Sequence, residues 1–354
     1  TIVELIDAHD GFQAIVDVIA TRSKPRLVAL MTLVTFFLSA VIDNLTTTIV
    51  MVSLLRKILG DREERMLIVG LVVVAANAGG AWSPIGDVTT TMLWIGGQIT
   101  VSALVEHTFL ASVVCAALPA IAVAMRLKGP IVPPENPHEN QNFTRSPIER
   151  NVVLGLGIGS LLFVPVFKTA THLPPFMGML CGLGVMWVVT ELIHSGKDEA
   201  EKGLLSVNHA LRKIDTPSML FFLGILLAVG ALESVEVLHG VAGWLDRTIG
   251  DADVVNIVIG LLSAVIDNVP LVAASMGMYS LEQFPQDHTF WVFLAYCAGT
   301  GGSALIIGSA AGVAAMGLEH IAFGWYLRRV SALALLGYLG GAGVFLLQRF
   351  LLGG

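Results

Sequence analysis

The sequence predicts an all-α polytopic membrane protein built on an internal duplication, and three observations carry that prediction. The chain of 354 residues is 55% hydrophobic and only 13% charged, with mean hydropathy +0.79; a soluble domain carries about 25% charge. Apolar runs near the roughly 20 residues that a helix needs to cross a bilayer recur at 104–125, 151–167, 174–193, 217–232 and 331–351. Finally, the hexapeptide Ser39-Ala40-Val41-Ile42-Asp43-Asn44 returns as Ser263-Ala264-Val265-Ile266-Asp267-Asn268, each copy inside an apolar stretch. An ionisable group at membrane depth is costly and marks an ion or substrate pathway. Two of them at equivalent points of a duplicated chain point to a transporter made of repeats.

The duplication extends beyond the hexapeptide. Gly79-Gly80-Ala81-Trp82-Ser83-Pro84-Ile85-Gly86-Asp87 is answered by Gly301-Gly302-Ser303-Ala304-Leu305-Ile306-Ile307-Gly308-Ser309, and Glu4, Asp7 and Gly11 fall opposite Glu233, Glu236 and Gly240. Three matches in the same order at nearly constant spacing identify a repeat. The second copy leads in with an apolar helix before Glu233, whereas the first has only Thr1 to Val3 before Glu4. The sequence is therefore read as lacking at least one N-terminal span.

Taken in order, residues 1–126 form the first repeat: a surface helix, a hairpin at 27–55, a broken helix at 66–96 and a helix at 104–126. A Pro-rich cytoplasmic linker follows at 127–150, then connecting transmembrane helices and a cytoplasmic loop over 151–213. Residues 214–354 form the second repeat: helix 217–232, hairpin 254–278, broken helix 290–316 and helix 331–351. The breaks are placed at Gly79-Gly80 with Pro84, and at Gly299–Gly302 with Gly308, where glycine and proline weaken a helix. Segments 3–20 and 233–248 carry acidic residues on one face and are expected along the membrane interface.

Flanking charge orients the hairpins. Arg22, Lys24 and Arg26 precede the first; Arg56, Lys57, Arg62 and Arg65 follow it. Lysine and arginine collect on the cytoplasmic side, so both its ends are expected there. The second copy is flanked by Asp246, Asp251, Asp253, Glu282 and Asp287 against a lone Arg247, so both its ends are expected outside. That combination predicts an inverted-topology repeat with two re-entrant hairpins whose tips meet near the midplane.

The polar residues at the breaks are Asp43, Asn44, Thr46, Thr47 and Thr48; Asn77, Ser83, Asp87, Thr89, Thr90 and Thr91; and Asp267, Asn268, Thr300, Ser303 and Ser309. Nearly all offer oxygen, and no lysine or arginine lies within the four segments. Oxygen-only coordination suits hard cations. A carboxylate there can hold a proton or a cation, which is what competitive exchange requires. Structural alternatives stand beside these readings: the threonines can return hydrogen bonds to helix carbonyls, Asn44 and Asn268 can cap a hairpin arm, and the glycines can serve close helix packing. The cysteines Cys115, Cys181 and Cys297 lie in separate apolar segments without metal-ligand spacing, and no basic tract suggests nucleic acid.

At Phe37–Thr48, Asn77–Thr91 and Ser263–Pro270 the sequence resembles the NhaD-type sodium/proton antiporters of the ion transporter superfamily. The resemblance implies exchange of Na⁺, with Li⁺ also accepted, for H⁺, in homodimers embedded in a bacterial inner membrane or a plastid envelope. It also implies an elevator-like movement of the hairpin-bearing domain. The ion-binding and proton-coupling candidates are Asp43, Asn44, Thr46, Asn77, Asp87, Thr89, Thr90, Asp267, Asn268, Thr300 and Ser303, with Asp43, Asp87 and Asp267 as transient Na⁺ ligands. No resident cofactor is expected, since the ions are cargo. The rival readings are an anion carrier of the same superfamily, for arsenite or a dicarboxylate, and, more remotely, an intramembrane aspartyl enzyme. The first needs an anion beside two or three aspartates; the second needs two carboxylates sharing a proton.

Overall fold

The computed structural model describes residues 2–12, 21, 23–132, 147–171, 173–194, 207–212 and 216–352. Most of the expected linker at 127–150 and of the loop at 194–213 lies outside them, although helix already begins at Pro147. The chain divides into two compact units, Thr1–Ala20 with Glu135–Met219, and Thr21–Pro134 with Leu220–Gly354. In the first unit, α1 (Ile2–Ala8) packs on α7 (Pro147–Thr171), which pairs with α8 (Pro175–Ile193); α9 spans Val207–Arg212. Ile6 seats against Gly157, where a side chain would collide with it.

The second unit holds both copies of the duplication. The first copy contributes α2 (Lys24–Ser39), α3 (Asn44–Ile58), α4 (Arg62–Ala81), α5 (Val88–Ile95) and α6 (Val101–Arg126). The second contributes α10 (Thr216–Ser234, its first residues in the other unit), α11 (Val237–Thr248), α12 (Ala252–Leu262), α13 (Asn268–Met278) and α14 (Thr289–Gly301). A 3₁₀ turn at Gly302–Ala304, α15 (Ala310–Glu319), α16 (Phe323–Arg329) and α17 (Ser331–Leu352) complete it. After its charged first turn, helix α4 is apolar but for Asn77 and is buried from Ile68 to Ala81, so it forms the middle of the unit. Helices α4, α6, α7, α8 and α17 are each long and apolar enough to cross a membrane. The protein is an integral membrane protein.

Each of the two stretches expected as a hairpin holds two short helices, α2 with α3 and α12 with α13. At 16 and 15 residues, α2 and α3 are about 24 and 22 Å long, and they pack on each other across the turn at Ala40–Asp43. Helix is interrupted between Ala81 and Val88 and between Gly301 and Ala310. The segment after Ser234 is a helix of its own, α11, set at 77° to α10. One element is not among those expected: the last apolar span is preceded by the short α16, too brief to leave a periodic signal.

Equivalent contacts recur in the two copies. Ser39 Oγ donates to the carbonyl of Ala76 at 2.6 Å, and Ser263 Oγ to that of Ala298 at 3.3 Å. Gly79 lies against the carbonyl of Phe36 and Gly301 against that of Gly260, each so close that a Cβ would stand 2.1 and 1.9 Å from the oxygen. The copies also cross-pair, α3 packing on α15 and α13 on α5. In the first copy Phe36, Phe37, Trp82 and Phe109 form an aromatic cluster behind the break.

Candidate functional site

The duplicated Asp-Asn pairs stand at the turns between short helices, and in the first copy the aspartate caps the helix that follows. Asp43 accepts the backbone N–H of Thr46 at 2.7 Å, Asp87 that of Thr89 at 2.8 Å, and Ser309 that of Gly312 at 3.2 Å. Each starts the helix that runs outward from a break. The cap role proposed for Asn44 therefore falls to Asp43, and Asn44 is instead the first helical residue, its side chain turned inward. The Asp43 backbone sits at φ 152° and ψ 161°, a region that residues with a Cβ rarely enter; Asp267 has φ −44° and no side-chain cap bond.

One hydrogen-bonded network joins both copies. Asp87, 3% exposed, accepts the Asn44 amide at 2.6 Å and the Asn268 amide at 3.5 Å on one oxygen. Its other oxygen accepts the Thr89 hydroxyl and backbone N–H, both at 2.8 Å. Asn77 is fully buried; its Oδ1 accepts from Asn44 at 3.1 Å and its amide nitrogen donates to Ser303 and Ser309, both at 2.9 Å. The network is thus a single buried carboxylate ringed by neutral amides and hydroxyls.

The remaining sequence candidates take other places. Asp43 and Asp267 are half-buried at the two turns, near enough to Asp87 to act on it through their charge, yet outside the network. Among the described residues no three acidic, histidine or cysteine side chains converge to hold an ion, so this conformation does not gather the three aspartates as joint ligands. Thr46 serves Asp43. Thr90 donates to the carbonyls of Ser83 and Asp87, and Thr300 to that of Tyr296 at 2.6 Å, so both hydroxyls are spent on backbone.

Residues 1–295 match the family model described as "Citrate transporter". Two proteins of Arabidopsis thaliana, "Sodium/proton antiporter 1" and "Sodium/proton antiporter 2", are 51% and 48% identical over 98% of this chain, which spans 60% and 82% of their lengths. The "Na(+)/H(+) antiporter NhaD" of Vibrio parahaemolyticus is 33% identical over 80% of this chain and 71% of its own length. The chain belongs to the NhaD-type sodium/proton antiporter family. All three of these named relatives are transporters rather than enzymes.

Within this NhaD-type chain, several residues that shape the site carried no signal that sequence reasoning used. Ser39 and Ser263 belong to the repeated hexapeptide, and each ties its short helix to the broken helix beside it. Asn256, fully buried in α12, donates to the carbonyl of Phe290 at 2.9 Å. Glu319, 2% exposed at the end of α15, pairs with Arg56 and Arg65 at 2.6 and 3.1 Å. A search for polar residues restricted to the glycine-rich breaks passes over all of them.

Proposed function

We propose that the protein exchanges Na⁺, and Li⁺ in its place, for H⁺ by alternating access around Asp87. The observation that carries this reading is the buried Asp87 carboxylate, which accepts from the Asn44 and Asn268 amides and from Thr89, with Asn77, Ser303 and Ser309 joined to it through Asn44 and no lysine or arginine in the broken segments. In the arrangement described, amide N–H groups satisfy the carboxylate. Turning the amides of Asn44 and Asn268 over presents their oxygens, and with Asp87 these make a hard, oxygen-only shell. Protonation of Asp87 removes the negative charge that holds the cation and releases it. Asp43 and Asp267, at the mouths of the two turns, raise the local cation concentration and are the further carboxylates able to carry the exchanged proton. The names of the plant and bacterial relatives support Na⁺ and H⁺ as the exchanged pair.

Alternating access is supported by the cross-pairing of α3 with α15 and of α13 with α5. In an inverted repeat, each hairpin arm and the opposite broken helix run from the site to one face, giving two equivalent routes. Both hairpins are then re-entrant. A homodimer in a proton-energised membrane, bacterial inner or plastid envelope, completes the proposal.

The description "Citrate transporter" favours a second reading, an anion carrier. Helix N-termini would suit an anion, but those of α3, α5 and α15 are already occupied by Asp43, Asp87 and Ser309. The test is reconstitution in proteoliposomes with a pH-sensitive dye inside. Proton release on adding NaCl or LiCl, absent in Asp87→Asn, is expected. Uptake of labelled citrate without a response to either cation would overturn the exchange reading in favour of the anion carrier.

A further inference from the structure

We propose that Tyr326, on the short helix α16, is a positioning residue for the cation site, an inference that rests on the exchange reading above. Where a helix breaks, the last carbonyls lose their intrahelical N–H partners and must find donors elsewhere. The Ser303 carbonyl, in the 3₁₀ turn at the end of α14, receives the Tyr326 hydroxyl at 2.9 Å. Tyr326 is fully buried and Ser303 is 2% exposed, so no solvent competes for that bond. The same Ser303 presents its own hydroxyl to Asn77 at 2.9 Å, and Asn77 in turn meets Asn44 at 3.1 Å beside Asp87. One hydroxyl from outside the broken segments thereby fixes the orientation of Ser303, three hydrogen bonds from the central carboxylate.

The duplicated half supplies a contrast for this assignment. The residue equivalent to Ser303 is Ala81, and the Thr108 hydroxyl of α6 lies 3.5 Å from its carbonyl but gives its one proton to the Leu104 carbonyl at 2.6 Å, within its own helix. A hydroxyl donated to the carbonyl of the break is therefore a feature of the second copy, and there the residue so held carries a side chain that enters the network.

The helix bearing Tyr326 is itself anchored. Trp325 donates to Glu63 at 3.1 Å, and Val330 fills the space left by Gly70 of α4, where a Cβ would stand 2.6 Å from it. Tyr326 is thus held between the surface and the break without touching Asp87. Its role is to position Ser303 and, through it, Asn77.

The test compares Tyr326→Phe with Tyr338→Phe in the full chain, reconstituted in proteoliposomes. Tyr338 is another buried tyrosine whose hydroxyl donates to a backbone carbonyl, that of Ile257 at 2.9 Å, but nothing links that carbonyl to Asn77. Both variants are expected to melt at a lower temperature than the wild type. Only Tyr326→Phe is expected to weaken apparent Na⁺ affinity, by roughly tenfold, with the maximal rate kept within about a factor of two. Na⁺-dependent thermal stabilisation in detergent should shift by the same factor. A wild-type protein without a Na⁺ response overturns the exchange reading, and the positioning role with it. A responsive wild type with unchanged affinity in Tyr326→Phe, or an equal shift in Tyr338→Phe, overturns the positioning role alone. Should Tyr326→Phe not accumulate, 3-fluorotyrosine at position 326 keeps the fold and alters only the donor, and unchanged affinity there overturns the proposal as well.

Discussion

Asn77 donates to Ser309 at 2.9 Å, and Ser309 occupies in the second copy the place that Asp87 holds in the first. The bond crosses between the copies and joins two residues whose chemistry has diverged. One copy kept a carboxylate at the start of its outgoing helix; the other has a hydroxyl that performs the same cap without charge. Two carboxylates at these positions would stand at the two ends of the Asn77–Asn44 pair in a buried space, and each would make ionisation of the other costly. The divergence leaves one buried charge, ringed by neutral groups from both halves.

Asn77 is the hub of that arrangement, so its removal should be felt throughout. Asn77→Ala leaves the Asn44 amide and the Ser303 and Ser309 hydroxyls each short of a partner in a buried space. Each unsatisfied group costs about 1–3 kcal/mol. The variant should melt several degrees lower and lose Na⁺-driven proton release. Thr35→Val is the matched comparison, because the Thr35 hydroxyl is equally buried but returns to the carbonyl of Met31 within its own helix. Dye-based exchange assays should find the valine variant active.

The two glycines at the crossing of hairpin and broken helix give a prediction in pairs. A Cβ at Gly79 would stand 2.1 Å from the Phe36 oxygen, and one at Gly301 would stand 1.9 Å from the Gly260 oxygen. The obstacles are backbone atoms, so the hairpin must shift as a body. Gly79→Ala and Gly301→Ala should each cost about 1–3 kcal/mol and impair exchange. Gly184→Ala in α8 and Gly317→Ala in α15 add a methyl where nothing lies within 4 Å. Those two should melt within a degree or two of the wild type. Thermal unfolding in detergent, followed by transport in liposomes, separates the pairs.

The duplication explains how much of this was legible beforehand. Asp43, Asn44, Asp267 and Asn268 stood out because the same hexapeptide appears twice in apolar surroundings, and Asn77 and Asp87 because they flank glycines where a helix must break. The sequence left open whether the threonine hydroxyls line the site or return to helix carbonyls. Those of Thr90 and Thr300 return to carbonyls three to seven residues back. Tyr326 sits outside every break, in a helix of seven residues that no periodicity announces, and reaches Ser303 only through tertiary packing. Contacts between residues far apart in the chain leave no spacing to read.

Glu319 gives the same lesson in energetic form. Its two oxygens are divided between Arg56, at the end of α3, and Arg65, near the start of α4. Arg56 also donates to the Leu318 carbonyl, and Arg65 to those of Leu59 and Gly60. The triad ties the outer end of α3 to the outer end of α15, whose inner ends carry Asn44 and Ser309. A buried carboxylate whose charge is removed leaves two guanidinium groups without their counter-ion, and breaking a buried ion pair from one side costs about 3–5 kcal/mol. Glu319→Gln should therefore lower the melting temperature more than Arg56→Gln, because Arg56 is 44% exposed and water replaces much of what it loses. Replacing all three residues by apolar ones should recover much of the loss, since the desolvation cost disappears along with the attraction. Melting curves of the two single variants and the triple variant, with exchange rates measured in parallel, check the ordering. A triple variant no more stable than Glu319→Gln would mean that the triad contributes attraction well beyond what its burial costs.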